Sequence, residues 1–268
     1  MTAQAIGDRE CDKFYRAAMQ ALDKAKVPFL VGGAYAFGVY TGIVRDTKDF
    51  DLFLQPRDVD RALSVLRAAG YDTEKTFPHW LAKVACGEDV IDLIYQSGNG
   101  LCPVDNVWFN RARPAELLGL QVRLCPAEEM IWMKAFIMER ERYDGADVIH
   151  MIESCAEAID WKHLFQRFGP DWRVLLSHLI LFGYVYPGER HRVPSWVLDL
   201  LLDRLRKEPP AQGSKICRGT LLSRQQYLHD VQERGFRDAR LEERVRMDGD
   251  DIALWTDAIA RDGTPEQS

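Results

Sequence analysis

The sequence predicts an α+β protein: helices and strands alternate over residues 1–125, and the remainder is mostly helical. Three observations predict it. Short apolar runs bounded by Gly, Pro and Asp dominate before residue 125, and apolar residues at helical spacing take over after Pro126. The third is chemical: two aspartates, Asp49 and Asp51, are set into one of the apolar runs.

Residues 8–26 carry Phe14, Ala17, Ala18, Ala21 and Leu22 on one helical face, and Pro28 follows. Phe29-Leu30-Val31 reads as a buried strand running into Gly32-Gly33, after which Ala34 to Tyr40 reads as a helix ending near Gly42. Phe50 to Leu54 is the second strand. Asp58 or Asp60 suits the cap of a helix through Ala62, Leu63, Val65, Leu66 and Ala69, stopped by Gly70. Residues 71–124 read as β-rich, with strands His79–Cys86, Asp89–Tyr95 and Gln121–Leu124, and a hairpin turn at Gly87-Glu88. From Ala127 a helical region continues, with breaks, to about 206. Residues 207–214, Lys-Glu-Pro-Pro-Ala-Gln-Gly-Ser, are the best linker. Beyond it, Ser223–Glu233 reads as a helix capped by Ser223, and the chain ends in a frayed tail. The expected division is a core at 1–125, a helical domain packed on it at 126–206, and a linker with a C-terminal helical extension at 207–268.

A net charge of −6 disfavours a broad nucleic-acid surface, although a local basic patch is compatible with it. Met1 to Asp8 lacks a basic segment followed by an apolar one, so no signal peptide is expected. The most apolar window, Val174–Tyr186, holds Ser177 and His178 and is too short to span a bilayer. Six cysteines without a CxxC pair suit a reducing compartment, so the expected location is cytoplasmic.

In an extended segment residues i and i+2 share a face, so Asp49 and Asp51 project together while Phe50, Leu52 and Leu54 face the core. Two neighbouring carboxylates repel, and a divalent cation relieves that cost. Asp92, inside Val90-Ile91-Asp92-Leu93-Ile94-Tyr95, is a third carboxylate that an apolar strand does not hold without a partner. Three carboxylates on neighbouring strands suit two Mg²⁺ ions roughly 3.5–4 Å apart. In that scheme Asp49 and Asp51 bind the ion carrying a triphosphate. Asp92 helps hold the second, at which the attacking hydroxyl is activated and loses its proton. Gly32 and Gly33 let backbone N–H groups approach a phosphate at a helix start, and Arg45, Thr47 and Lys48 add donors nearby. Each part alone has a plainer explanation: a tight turn, a solvated strand face, an aspartate paired with arginine. Their order together is the specific signal. Neither GxxxxGK[ST] nor GxGxxG is present.

The order Gly32-Gly33, about fifteen residues, Asp49-Phe50-Asp51, then Asp92 in a later strand resembles the nucleotidyltransferase fold of the DNA polymerase β superfamily. The likeness covers about residues 28–95 and includes small bacterial members such as aminoglycoside- and lincosamide-type nucleotidyltransferases and toxin-type relatives. It implies a mixed sheet flanked by helices. NTP and Mg²⁺, or Mn²⁺ in its place, would meet at the acidic strand ends, with a nucleoside monophosphate transferred and pyrophosphate released. By the same resemblance Asp49, Asp51 and Asp92 are the metal triad, and Gly32 and Gly33 the phosphate-contacting turn. Members often have Ser in place of the second glycine. Residues 126–134 and 140–147 are similar, more weakly, to the helical segment after the sheet in toxin-type members. There Lys134 would approach a triphosphate oxygen, and Asp144 and Asp147 would orient Lys134 or Arg142.

The remaining candidates are weaker. The histidines form no metal-ligand pattern. His79 lies near the expected acceptor side but reads as an ordinary surface or core residue, and His150 and His178 read as packing residues. The leading function is therefore Mg²⁺-dependent nucleotidyl transfer from an NTP such as ATP to a hydroxyl acceptor, with a small molecule favoured by the acidic net charge. The alternatives are a toxin-type enzyme that modifies tRNA or protein and is restrained by a partner protein, and a non-catalytic nucleotide-binding module of the same fold.

Overall fold

The computed structural model describes residues 10–45, 47, 49–209 and 213–262. Two compact units divide the chain, Met1–Pro126 and Ala127–Ser268.

The first unit comprises helix α1 (Glu10–Lys24), strand β1 (Leu30–Val31), α2 (Gly33–Thr41), β2 (Asp49–Phe53), α3 (Val59–Ala68), β3 (Asp72–Phe77), β4 (Leu81–Cys86), β5 (Asp89–Ile94), α4 (Asn106–Arg111), β6 (Arg113–Leu117) and β7 (Leu120–Leu124). The strands form a mixed seven-stranded sheet in the order β3-β4-β5-β2-β1-β7-β6. Strand β2 runs parallel to β5 and β1 runs parallel to β7, while the remaining pairs are antiparallel.

Alternation along β2 decides what each face does. Phe50 and Leu52 are fully buried, as is Leu54 just beyond the strand. Phe50 stacks on Tyr15 of α1 at 4.7 Å and meets Tyr35 of α2 edge-on at 4.8 Å. On the opposite face Phe53 stacks on Trp108 of α4 at 5.4 Å, while Asp51 is half-buried and Asp49 exposed. Burial of the three apolar side chains, worth roughly 1.5–3 kcal/mol each, fixes the register. A slip of one residue would drive both aspartates into the aromatic cluster.

Two strands were not expected. Strand β3, Asp-Thr-Glu-Lys-Thr-Phe, is a charged sheet edge, and β6 contains Pro114 at the opposite edge, where a missing N–H is tolerated. The hairpin at Gly87-Glu88 is as expected, with Gly87 at φ 64° and Cys86 paired with Asp89.

The second unit contains α5 (Ala127–Lys134), α6 (Gly145–Cys155), α7 (Trp161–Phe168), α8 (Trp172–Val185), α9 (Ser195–Lys207), the parallel strands β8 (Ile216–Cys217) and β9 (Arg237–Asp238), α10 (Leu228–Gln232) and α11 (Gly249–Asp262). The segment after the expected linker is tied into this unit. Glu139 accepts from the Ser223 hydroxyl, the Arg224 backbone N–H and the Arg224 guanidinium, and Asp171 accepts from Arg244. Those bonds explain why the expected Ser223–Glu233 helix shortens to α10. Ser223 accepts from the Gln226 N–H in a turn, and Tyr227 lies over Gly219, where a Cβ would fall inside the ring. Residues 210–212 of the expected linker, and the expected tail from 263 on, lie outside the described residues.

Two buried polar side chains in this unit have clear partners. Glu129 of α5, wholly buried, contacts His163 at 2.7 Å and Arg167 at 2.9 Å; burial nevertheless raises its pKa. His178 of α8 is also wholly buried, shares a hydrogen bond with the Ala135 carbonyl, and is held below its ordinary pKa by burial. No described helix is long and apolar enough to cross a membrane.

The tightest of these groups surrounds Arg240, 1% exposed. It donates to Asp238 and to the Thr256 hydroxyl of α11, and Asp238 also accepts from Thr220 at 2.7 Å. Burial alone would raise the Asp238 pKa, but donation from Arg240 and Thr220 outweighs it and holds the carboxyl below its ordinary value. Asp238→Ala strands a buried guanidinium and should destabilise the protein by about 3–5 kcal/mol at pH 7 in urea unfolding. Because the folded pKa is the lower one, this contribution is present above the ordinary carboxylate range. The gap between wild type and variant should therefore narrow as pH falls below that range.

Candidate functional site

Asp49, Asp51 and Asp92 lie on two adjacent strands, and Lys83 on a third extends their row. Asp51 on β2 is the register partner of Asp92 on β5, and Asp92 is the register partner of Lys83 on β4. Directly paired residues present their side chains on one face, and Asp49 lies two residues along the same strand on that face. The row is therefore Lys83–Asp92–Asp51, with Asp49 beside it. The Lys83 ammonium donates to Asp92 Oδ1 at 3.0 Å, with the two side chains 38% and 15% exposed.

The glycines shape the other side of Asp51. The Gly32 N–H donates to the Asp51 carbonyl at 3.0 Å, and a Cβ on Gly32 would fall within the Phe53 ring. Gly33, with φ +53°, opens α2, and a Cβ there would overlap the Asp51 carboxylate. The glycine pair thus clears space for an aromatic packing contact at Gly32 and for a carboxylate at Gly33. A helix start carries backbone N–H groups without intrahelical partners and a partial positive charge, which favours the Asp51 carboxylate or a phosphate beside it.

The other sequence-predicted residues are placed as follows. The Thr47 hydroxyl donates to the Asp49 carbonyl at 3.1 Å and accepts its N–H at 3.3 Å, fixing the start of β2. Arg45 is exposed, its guanidinium 4.5 Å from the centre of the Phe37 ring. Lys48 lies outside the described residues. Lys134 belongs to the second unit, where its ammonium donates to Asp144 at 2.7 Å and Asp147 at 2.9 Å. Burial alone would raise the Asp144 pKa, but bonds from Arg142 and Lys134 outweigh it and hold the carboxyl below its ordinary value. His79 bonds the Gly98 carbonyl at 3.0 Å, and His150 bonds the Tyr186 hydroxyl at 3.1 Å.

Lys83 was not singled out from the sequence, yet the signal was there. A two-residue turn at Gly87-Glu88 pairs Cys86 with Asp89, and counting back along that hairpin pairs Lys83 with Asp92.

The donor set suits Mg²⁺ in kind. Carboxylate oxygens are the ligands this ion selects, and it needs few from the protein because water and phosphate complete its shell. The gap left by the missing Gly33 Cβ lets the Asp51 carboxylate stand at the helix start. Among the described residues no group of three or more His, Cys, Asp or Glu side chains that could hold a metal ion occurs.

The first unit has the arrangement that the resemblance implies for a nucleotidyltransferase fold: a mixed sheet flanked by helices, a glycine pair opening a helix, and the acidic residues on adjacent strands. The chain matches no protein-family model and no curated protein. Among solved structures it is similar to the antibiotic-resistance factor ANT(2'')-Ia, at 16% identity and TM-score 0.44, over 62% of this chain and 95% of that one. It is also similar to the lincosamide antibiotic adenylyltransferase LnuA with lincomycin bound, at 14% identity and TM-score 0.38, over 53% and 96%. A third is an antigenic nucleotidyltransferase-like protein from Paracoccidioides brasiliensis, at 17% identity and TM-score 0.44, over 72% and 94%.

Gly33→Ala places a methyl group both at positive φ and against Asp51. The backbone conformation alone should cost about 1–3 kcal/mol in urea unfolding. In an Asp51→Ala background part of the total cost should vanish, giving a coupling of about 0.5–3 kcal/mol in a double-mutant cycle.

Proposed function

We propose that this protein is an Mg²⁺-dependent nucleotidyltransferase that moves a nucleoside monophosphate from an NTP to a hydroxyl acceptor and releases pyrophosphate. The observation that carries the proposal is the pairing of Asp51 with Asp92 on the face that also presents Asp49, beside a glycine-opened helix start. Asp49 and Asp51 are the residues that would hold the cation arriving with the triphosphate, and Asp92 would share in holding a second. When bound, Mg²⁺ (or Mn²⁺ in its place) neutralises triphosphate charge and makes the acceptor hydroxyl more acidic.

The rest falls to the chain itself. The Gly32-Gly33 turn opens α2, with Gly32 pinned to the Asp51 carbonyl, and the helix-start N–H groups would take a phosphate. Arg45 supplies positive charge, Lys48 is proposed from its place in the sequence as a further phosphate contact, and Thr47 keeps Asp49 in place. In the transfer, the acceptor oxygen forms a bond to the α-phosphorus, and the bond from that phosphorus to the bridging oxygen breaks. The electron pair leaves with pyrophosphate, and the acceptor's proton passes to Asp92. Small acceptors fit the net charge of −6 better than a long RNA. Six free cysteines fit a reducing cytoplasm, where NTP and Mg²⁺ are both present.

Pyrophosphate release, measured with each NTP and Mg²⁺ against a panel of small hydroxyl compounds and tRNA, tests the proposal. Asp51→Asn should lower the rate about 10²–10³-fold, and Asp92→Asn about 10²–10⁴-fold. Release that is unchanged in Asp51→Asn would sink the assignment.

A further inference from the structure

We infer that Lys83 is the site's built-in cation: in the nucleotide-free protein its ammonium stands on Asp92 in the place of a second divalent ion. This inference rests on the nucleotidyl-transfer reading and concerns how that same site is charged before substrate arrives.

Three observations support it. First, Lys83 is in the row itself, the direct register partner of Asp92, which in turn is the partner of Asp51. Its Nζ is 3.0 Å from Asp92 Oδ1, a full ion pair rather than a long-range neighbour. Second, the strand around it is apolar. Leu81, Ala82 and Val84 are all buried, so Lys83 is the charged residue that β4 commits to this row. Third, a second ion at Asp92 would have to approach an ammonium already in contact with its ligand, and like charges at that distance repel. Entry of the second ion therefore requires Nζ to swing off Asp92, which a lysine on a flexible four-carbon stem can do. The triphosphate, with its own negative charge, gives that ammonium somewhere to go.

Lys83 is thus a positioning residue that acts through Asp92, and metal stoichiometry is a readout that a merely structural strand ion pair would not alter. The full chain, free of nucleotide, is titrated with Mn²⁺, and free Mn²⁺ is counted by electron paramagnetic resonance. The expected result is one Mn²⁺ per chain in the wild type and in Lys83→Arg, and two in Lys83→Met. Lys83→Gln, which keeps a hydrogen-bond donor without the charge, should also bind two and serves if the methionine variant does not fold, with circular dichroism as the check. Two ions in the wild type, or one in each neutral variant, overturns the inference and leaves the transferase reading standing. No bound Mn²⁺ in the wild type also overturns the inference, and leaves standing a transferase whose cations arrive only with the triphosphate.

Discussion

Everything at this site follows from placing carboxylates on a strand that must be buried on its other face. Strand β2 cannot move away from α1 and α2 without exposing Phe50 and Leu52, and cannot slip without burying Asp49 and Asp51. The packing of their apolar neighbours therefore fixes the face on which the aspartates stand. This makes a rigid mount for charge, since the aromatic cluster and the sheet register would both have to fail before the carboxylates could separate.

That mount has a cost, and the surrounding residues show how it is offset. Gathering like charges in a row disfavours the folded state. Gly33 answers on one side by giving up its side chain, so that the Asp51 carboxylate can lie against the start of α2. Lys83 answers on the other side with an ion pair to Asp92. The second unit manages its charges differently. Asp238 with Arg240, and Glu129 with His163 and Arg167, are deeply buried and directly paired, as groups that hold structure need to be. Asp49 and Asp51 are exposed and half-buried respectively, which suits groups that must meet something from solution.

Much of this was legible in the sequence because two periodicities carry it. The period of two separates Phe50, Leu52 and Leu54 from Asp49 and Asp51, and the glycine pair before Ala34 marks a helix start. What escaped had no periodic signal. The edge strand Asp72–Phe77 is charged along its length, and its pairing comes from β4 rather than from its own composition. The Ser223–Glu233 helix failed because Glu139, 84 positions upstream of Ser223, captures the Ser223 and Arg224 side chains. A contact at that separation leaves no local trace.

Lys83 belongs between those two cases. Its type is unremarkable, and only the hairpin count from Gly87-Glu88 brings it to Asp92. The choice of lysine there is informative. A guanidinium would grip a carboxylate through two parallel bonds in a fixed plane, whereas an ammonium makes a point contact that a competing anion can draw away. A site that only had to hold Asp92 still would be better served by arginine. A site that must surrender Asp92 once a polyphosphate arrives is better served by a cation that is strong enough to offset repulsion at rest and loose enough to leave. A lysine 38% exposed, beside an aspartate 15% exposed, meets both requirements, because one end of the pair stays in reach of solvent while the other is fixed by the sheet.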